Sequence, residues 1–193
     1  MELGAYTGVW GSSDQDCQDK YTSKIMNDFP GADVKTASDV QSAVAAYTNA
    51  LQNAENNTVV IASIGELTNL RDVVTAIPDL FRAKVKSIVY MDGGYNFGCG
   101  DSNGSSPWLG STEDCDGAAQ FVVENVPNSV EQAFSLNGLD VLTGSRFSDE
   151  NPCGQGPVKE AYQTYTNYGS RPSWDPMAVY FAVMGKESLY ERR

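Results

Sequence analysis

Asp175 is the residue of this chain best situated for chemistry, standing between Trp174 and Pro176 just ahead of the apolar run from Met177 to Met184. A carboxylate at the start of a helix can face a metal ion or a polarised group, and its two stiff neighbours would fix its direction. The same position also suits an ordinary N-cap, in which the side chain accepts hydrogen bonds from the first helical amides. The chain contains no histidine, which removes His-based serine or cysteine triads, His-ligated zinc and imidazole proton shuttles. Chemistry must then use carboxylates, amides, hydroxyls or a hard metal. An all-oxygen ligand set of carboxylate, backbone carbonyl and water suits calcium. Asp175 and the backbone carbonyl of Ile64 would begin such a set if both stood at the carboxyl end of one sheet. Asp92, Asp101, Glu113, Asp114 and Asp116 either join them or form a solvated acidic surface.

Ile64 belongs to the stretch around which the chain is organised, Thr58 to Leu70. Val59, Val60, Ile61 and Ala62 form an apolar run that stops at Gly65. Thr68 and Asn69 then offer capping oxygens ahead of Leu70, Val73, Val74 and Ile77. This predicts a strand buried on both faces, a tight turn and a helix. Strands of that kind sit in parallel sheets covered by helices, which bind ligands at the carboxyl ends of their strands. The bland alternative is a turn that merely connects.

The remaining elements follow in order. Tyr21, Ile25 and Phe29 predict a helix ending near Pro30-Gly31. Ser38 and Gln41 read as a capping box for a helix carrying Val40, Val44, Tyr47 and Leu51 on one stripe. Pro78 breaks the next helix, and Val85, Ile88, Val89 and Tyr90 form a second buried strand ending at Met91. The two strands make a βαβ unit. A long Gly-, Ser- and Asn-rich stretch follows from Asp92 to Glu113, with neither Gly-Lys-Ser/Thr nor G-x-G-x-x-G opening a helix, so both nucleotide fingerprints are rejected. Loops of that length are more often functional than idle. Beyond it come a helix from Ala118 towards Pro127, a weaker strand from Val130 to Leu136, a short apolar piece at Val141-Leu142-Thr143-Gly144, and a helix from Lys159 to Tyr168 burying Ala161, Tyr162 and Tyr165. The last helix carries Met177, Tyr180, Phe181 and Met184 on one stripe. Alternation of strand and helix predicts an α/β fold with an open, mostly parallel sheet flanked by helices.

With 193 residues the chain suffices for one domain with a sizeable core. Its 25 acidic and 13 basic residues give a net charge of -12, which argues against nucleic acid or an anionic membrane as partner. No apolar run approaches the roughly 20 residues of a membrane span, and Glu2 and Leu3 after Met1 do not begin a signal peptide. Cys17, Cys99, Cys115 and Cys153 lack C-x-x-C spacing, which argues against zinc and permits two disulfides in any of three pairings. Together with the triplets Asn56-Asn57-Thr58 and Asn103-Gly104-Ser105 they lean towards a secreted or luminal setting; a cytosolic protein with free thiols is the alternative.

Three segments together resemble the inosine-uridine-preferring nucleoside hydrolase family: Ser63-Ile64-Gly65-Glu66-Leu67-Thr68-Asn69, Met91-Asp92-Gly93-Gly94, and Ser173-Trp174-Asp175-Pro176-Met177-Ala178-Val179. Gly4-Ala5-Tyr6-Thr7-Gly8 is similar to the segment that precedes them in the family. The resemblance spans nearly the whole chain in the family's order. It implies a Rossmann-like sheet, one calcium ion and hydrolysis of the N-glycosidic bond of ribonucleosides. It further implies that Asp175 and the Ile64 carbonyl ligate the calcium, that Met91 lines the ribose pocket and that Asn96 contacts the ribose.

Three departures accompany it. The family's opening D-x-D-x-G-x-D-D, source of the other carboxylate ligands and the general base, is absent from the 193 residues. Trp174 stands where many members carry the histidine that protonates the leaving base, and Asp92 replaces a usual glycine. The expectation is a single nucleoside hydrolase-like domain over 1–193, incomplete at its N-terminal side, inactive in isolation, with an open sheet edge and a tendency to form homo-oligomers. The alternatives are a non-catalytic member that binds a nucleoside, a sugar-like ligand or a protein partner, and an acidic, disulfide-linked surface protein that uses the scaffold for interaction alone.

Overall fold

Strands and helices alternate along the chain as its periodicity requires. The computed structural model describes residues 4–5, 21, 23–30, 37–65, 67–91, 115–134, 138–147, 156–167 and 169–185. In order these form β1 (Gly4–Ala5), α1 (Ser23–Asp28), β2 (Gln41–Ser42), α2 (Ala43–Gln52), β3 (Val59–Ser63), α3 (Thr68–Ala76), α4 (Pro78–Lys84) and β4 (Val85–Tyr90). They continue with α5 (Cys115–Asn125), β5 (Glu131–Phe134), β6 (Leu142–Thr143), α6 (Pro157–Thr166), β7 (Arg171–Pro172) and α7 (Trp174–Met184).

The central sheet has the order β3-β4-β5, and both pairings are parallel, with Ser63 opposite Tyr90 and Tyr90 opposite Phe134. This bears out the α/β reading at the level of a parallel sheet flanked by helices. Side chains alternate between the two faces of each strand, and helices lie on both faces, although Val60, expected to be buried, stays 38% exposed. Ile61, Ile88 and Tyr90 join Leu51, Leu70, Val73, Phe81 and Val122 in the main core under α2 to α5. Phe81, Val73 and Ile88 are fully buried, and each such side chain contributes about 1.5–3 kcal/mol on leaving water. The opposite face, with Val60, Ser87, Val89 and Ala133, lies beside the Phe181–Gly185 end of α7, and α7 packs across β3 and β4. The C-terminal end of α7 therefore meets the sheet near Val60, Lys86, Ser87 and Glu131, towards the starts of the strands. The helix runs against the strands, and its first turn points to their carboxyl ends.

Several local expectations change. Ser38 is not a helix cap: residues Ala37–Asp39 form a 3-10 turn, Gln41 pairs with Gly4 in a short parallel bridge, and Ser42 caps α2 by accepting from Ala45 N at 3.2 Å. The Gln41 side chain instead accepts from Asn49 Nδ2 at 3.0 Å. Pro78 breaks the helix as expected, α3 ending at Ala76, but it also opens a second one, α4, because at the first helical position its missing N–H costs nothing. Leu67 precedes α3, and neither Thr68 nor Asn69 caps it. In α7, Ala178 is the buried residue, while Tyr180 and Met184 are exposed. The helix is apolar nearly all round, so the 3.6 period could not identify its inner side.

Candidate functional site

The carboxyl ends of β3 and β4 are held side by side, since the Ser63 carbonyl accepts from Met91 N at 2.8 Å. That bond brings together two of the residues singled out in the sequence. Ile64, the next residue after β3, is 46% exposed, and Met91 is half-buried. Asp175, in the first turn of α7, lies at this same end of the sheet by the direction of the helix.

The first turn of α7 is fixed by backbone. Ser173 N donates to the carbonyls of Gly138 (2.9 Å) and Val141 (2.8 Å). Gly138 is in such close contact that a Cβ would stand 2.4 Å from Trp174 N. The Ser173 side chain makes no cap bond; its Oγ donates to Thr143 Oγ1 at 3.0 Å, which in turn lies 3.0 Å from the Tyr162 hydroxyl. Asp175 thus lies inside the helix instead of capping it. Its Oδ1 is buried and has no hydrogen-bond partner. Burial pushes the Asp175 carboxyl above its ordinary pKa, and the charge of Arg171 pulls part of the way back. The Asn69 Oδ1 is likewise buried without a partner.

Asp175 opens onto a cleft of about 420 Å³, within the range of small-molecule sites. Tyr21, Tyr162, Tyr165, Arg171 and Trp174 line it. The Tyr21 and Tyr165 rings meet edge to face at 5.6 Å, and the Arg171 guanidinium lies 4.3 Å from the centre of the Tyr165 ring. Such a cleft can stack a flat ring or the apolar face of a sugar. Ile64 and Met91 do not line it. No protein-family model matches the chain, and no curated protein matches it significantly.

An unpartnered, buried carboxylate oxygen is the kind of atom that a cation would satisfy, and Asp175 fits the part of one calcium ligand. Calcium takes 6–8 oxygens, and among the described residues no group of three or more His, Cys, Asp or Glu gathers to complete the set. Asn96, Asp92, Asp101, Glu113 and Asp114 lie outside the described residues, as do Cys17, Cys99 and Cys153 and the side chains of Asp116 and Cys115. Among the described residues no helix is long and apolar enough to cross a membrane.

Sequence reasoning took Tyr162 and Tyr165 for the buried side of a helix, whereas they are half-buried cleft walls. Arg171, Thr143 and Gly138 were missed. The only available signal was the number of aromatic residues from Tyr162 to Trp174, because neither a hydroxyl relay nor a backbone contact has a sequence period.

Proposed function

We propose that the chain is the larger part of a nucleoside hydrolase-like enzyme, which cleaves the N-glycosidic bond of ribonucleosides. The observation that carries this reading is the buried, unpartnered Oδ1 of Asp175 at the carboxyl end of a parallel sheet, where α/β folds take their ligands. Asp175 and the Ile64 carbonyl would hold a calcium ion, with Met91 beside the ribose. Calcium, when bound, supplies a positive centre that orients sugar hydroxyls and acidifies water. The chain's own residues bind and orient: the aromatic cleft takes the flat base, and Arg171 limits the rise in the Asp175 pKa. The general base belongs to the D-x-D-x-G-x-D-D segment, which the 193 residues lack, so this chain alone is expected not to turn over.

The second reading is a non-catalytic nucleoside or sugar binder. It is favoured by the absence of a three-acid cluster among the described residues beside a formed aromatic cleft. Titration calorimetry with calcium separates the two, using this chain, a version extended upstream by a D-x-D-x-G-x-D-D segment, and Asp175→Ala in each. Binding that needs the extension and is lost in Asp175→Ala supports the hydrolase. No binding in either form overturns the metal assignment and leaves the binder.

A further inference from the structure

We propose that Asn56 carries an N-linked oligosaccharide, attached as the chain passes through a secretory lumen. Asn56-Asn57-Thr58 has the acceptor pattern Asn-x-Thr, and its middle residue is not proline. Such triplets arise often by chance, so the meaning of this one depends on where the fold puts it and whether packing already accounts for it. A triplet running into a buried strand could not hold a sugar. Here it stops short of the buried part: Asn56 and Asn57 form the turn between α2 and β3, and Glu55, Asn56, Asn57 and Thr58 are all exposed.

Two of the three residues have structural roles in this turn. Asn57 has a φ of 57°, in the left-handed region where asparagine is enriched, and its N–H donates to the Ala83 carbonyl at 2.9 Å. Thr58 N donates to the Lys84 carbonyl at 3.1 Å, and Thr58 Oγ1 donates to the Glu55 carbonyl at 2.9 Å. Lys84 Nζ reaches the Ala54 carbonyl at 2.7 Å. The backbone on both sides of Asn56 is thus pinned to the end of α4, whereas the Asn56 side chain makes no hydrogen bond among the described residues. Its exposed amide is the group of the triplet that packing leaves unused. The turn also stands at the amino end of β3, separated from Ile64 by the five residues of that strand, about 16 Å at 3.3 Å per residue. A bulky group there stays clear of the carboxyl ends of the strands, where Asp175 lies.

The transfer needs one co-reactant, an oligosaccharide linked to a lipid diphosphate. Asn56 Nδ2 bonds to the anomeric carbon of the first sugar, the bond from that carbon to the diphosphate oxygen breaks, and the amide gives up one proton. Thr58 supplies the hydroxyl that completes the acceptor triplet. In the folded chain the turn leaves the sugar in water, where it is bulky and solubilising.

Peptide mapping of the protein isolated from the cells that make it tests this. Cleavage at Lys35 and Arg71 releases a peptide that holds Asn56 and no other acceptor triplet. Peptide N-glycosidase in water enriched in heavy oxygen converts a glycosylated asparagine to labelled aspartate. The expected result is label at position 56, with most of the unmodified peptide missing before treatment. Asn56→Gln, at an exposed side chain without hydrogen bonds, and Thr58→Ala, made in the same cells, should each run faster on a denaturing gel by one oligosaccharide. Thr58→Ser keeps the hydroxyl and should keep the slower band. Recovery of unmodified Asn56 from the native protein overturns the proposal. So does label confined to Asn103, which lies outside the described residues, or a mobility that Asn56→Gln leaves unchanged. No arm reads calcium or nucleoside binding, so the outcome is independent of the proposed enzymatic function.

Discussion

Gly138 and Trp174 touch backbone to backbone: a Cβ on Gly138 would lie 2.4 Å from the Trp174 Cα. The turn before β6 thereby sets the origin of α7, and through it the position of Asp175. Gly138→Ala must push this junction apart, and overpacking of that sort costs about 1–3 kcal/mol. Urea denaturation would read the loss. A variant as stable as the parent would mean that the junction yields and does not position the helix.

Asp175→Asn should show a pH-dependent gain in stability. A carboxyl whose pKa is raised in the folded state favours folding while protonated. That contribution is fully present below the unfolded carboxyl's pKa and is lost as the pH rises through the folded one. The amide should therefore stabilise the chain at neutral pH, by a few tenths of a kcal/mol because water screens the exposed part of the group, and should have no such advantage in acid. Denaturation midpoints at two pH values would test it. An equal effect at both would exclude titration of Asp175 as the cause.

Arg171→Met removes the charge that lowers the Asp175 pKa and the cation resting 4.3 Å from the Tyr165 ring. The Asp175 titration, followed by carboxyl NMR, should move to higher pH. Stability should fall by about 0.5–1 kcal/mol from the lost cation–ring contact. An unmoved titration would mean that the two charges do not interact.

Tyr90→Phe tests the join between β4 and β5. The Tyr90 ring stacks on Phe134 at 4.8 Å and its hydroxyl donates to Gln132 Oε1 at 2.9 Å, while the side chain is almost completely buried. Phenylalanine keeps the stack and leaves the amide oxygen without its donor, a loss of about 1–3 kcal/mol. Chemical denaturation should register it, with the change in slope small because the core is preserved.

The strands β3 and β4 and the helix after β3 were legible because buried β-branched runs followed by 3.6-residue spacing leave few alternatives. Ser38 was misread as a cap because its spacing to Gln41 satisfies the box, although the β1 bridge holds Gln41 extended and leaves Ser42 to do the capping. The stripe in α7 was misread because an apolar helix has no contrasting side. Of the site, Asp175 could be singled out from its neighbours. Arg171, Tyr165 and Thr143, which form the surroundings of the first turn of α7, could not, since they gather there only through tertiary packing across β6, β7 and α6.

The order in which the sheet and α7 come together has a kinetic consequence. β3 and β4 are linked by the short crossover of α3 and α4 and enclose the fully buried Val73 and Phe81, so their contacts close small loops and form early. α7 arrives from the distant end of the chain and contributes one fully buried residue, Ala178. It should therefore be the last element to dock and the first to detach, opening by local unfolding while the β3-β4-β5 ladder stays intact. In native-state hydrogen exchange the amides around Asp175 would then exchange through an opening much smaller than global unfolding, and those of Ile88 and Val89 only when the whole sheet is lost.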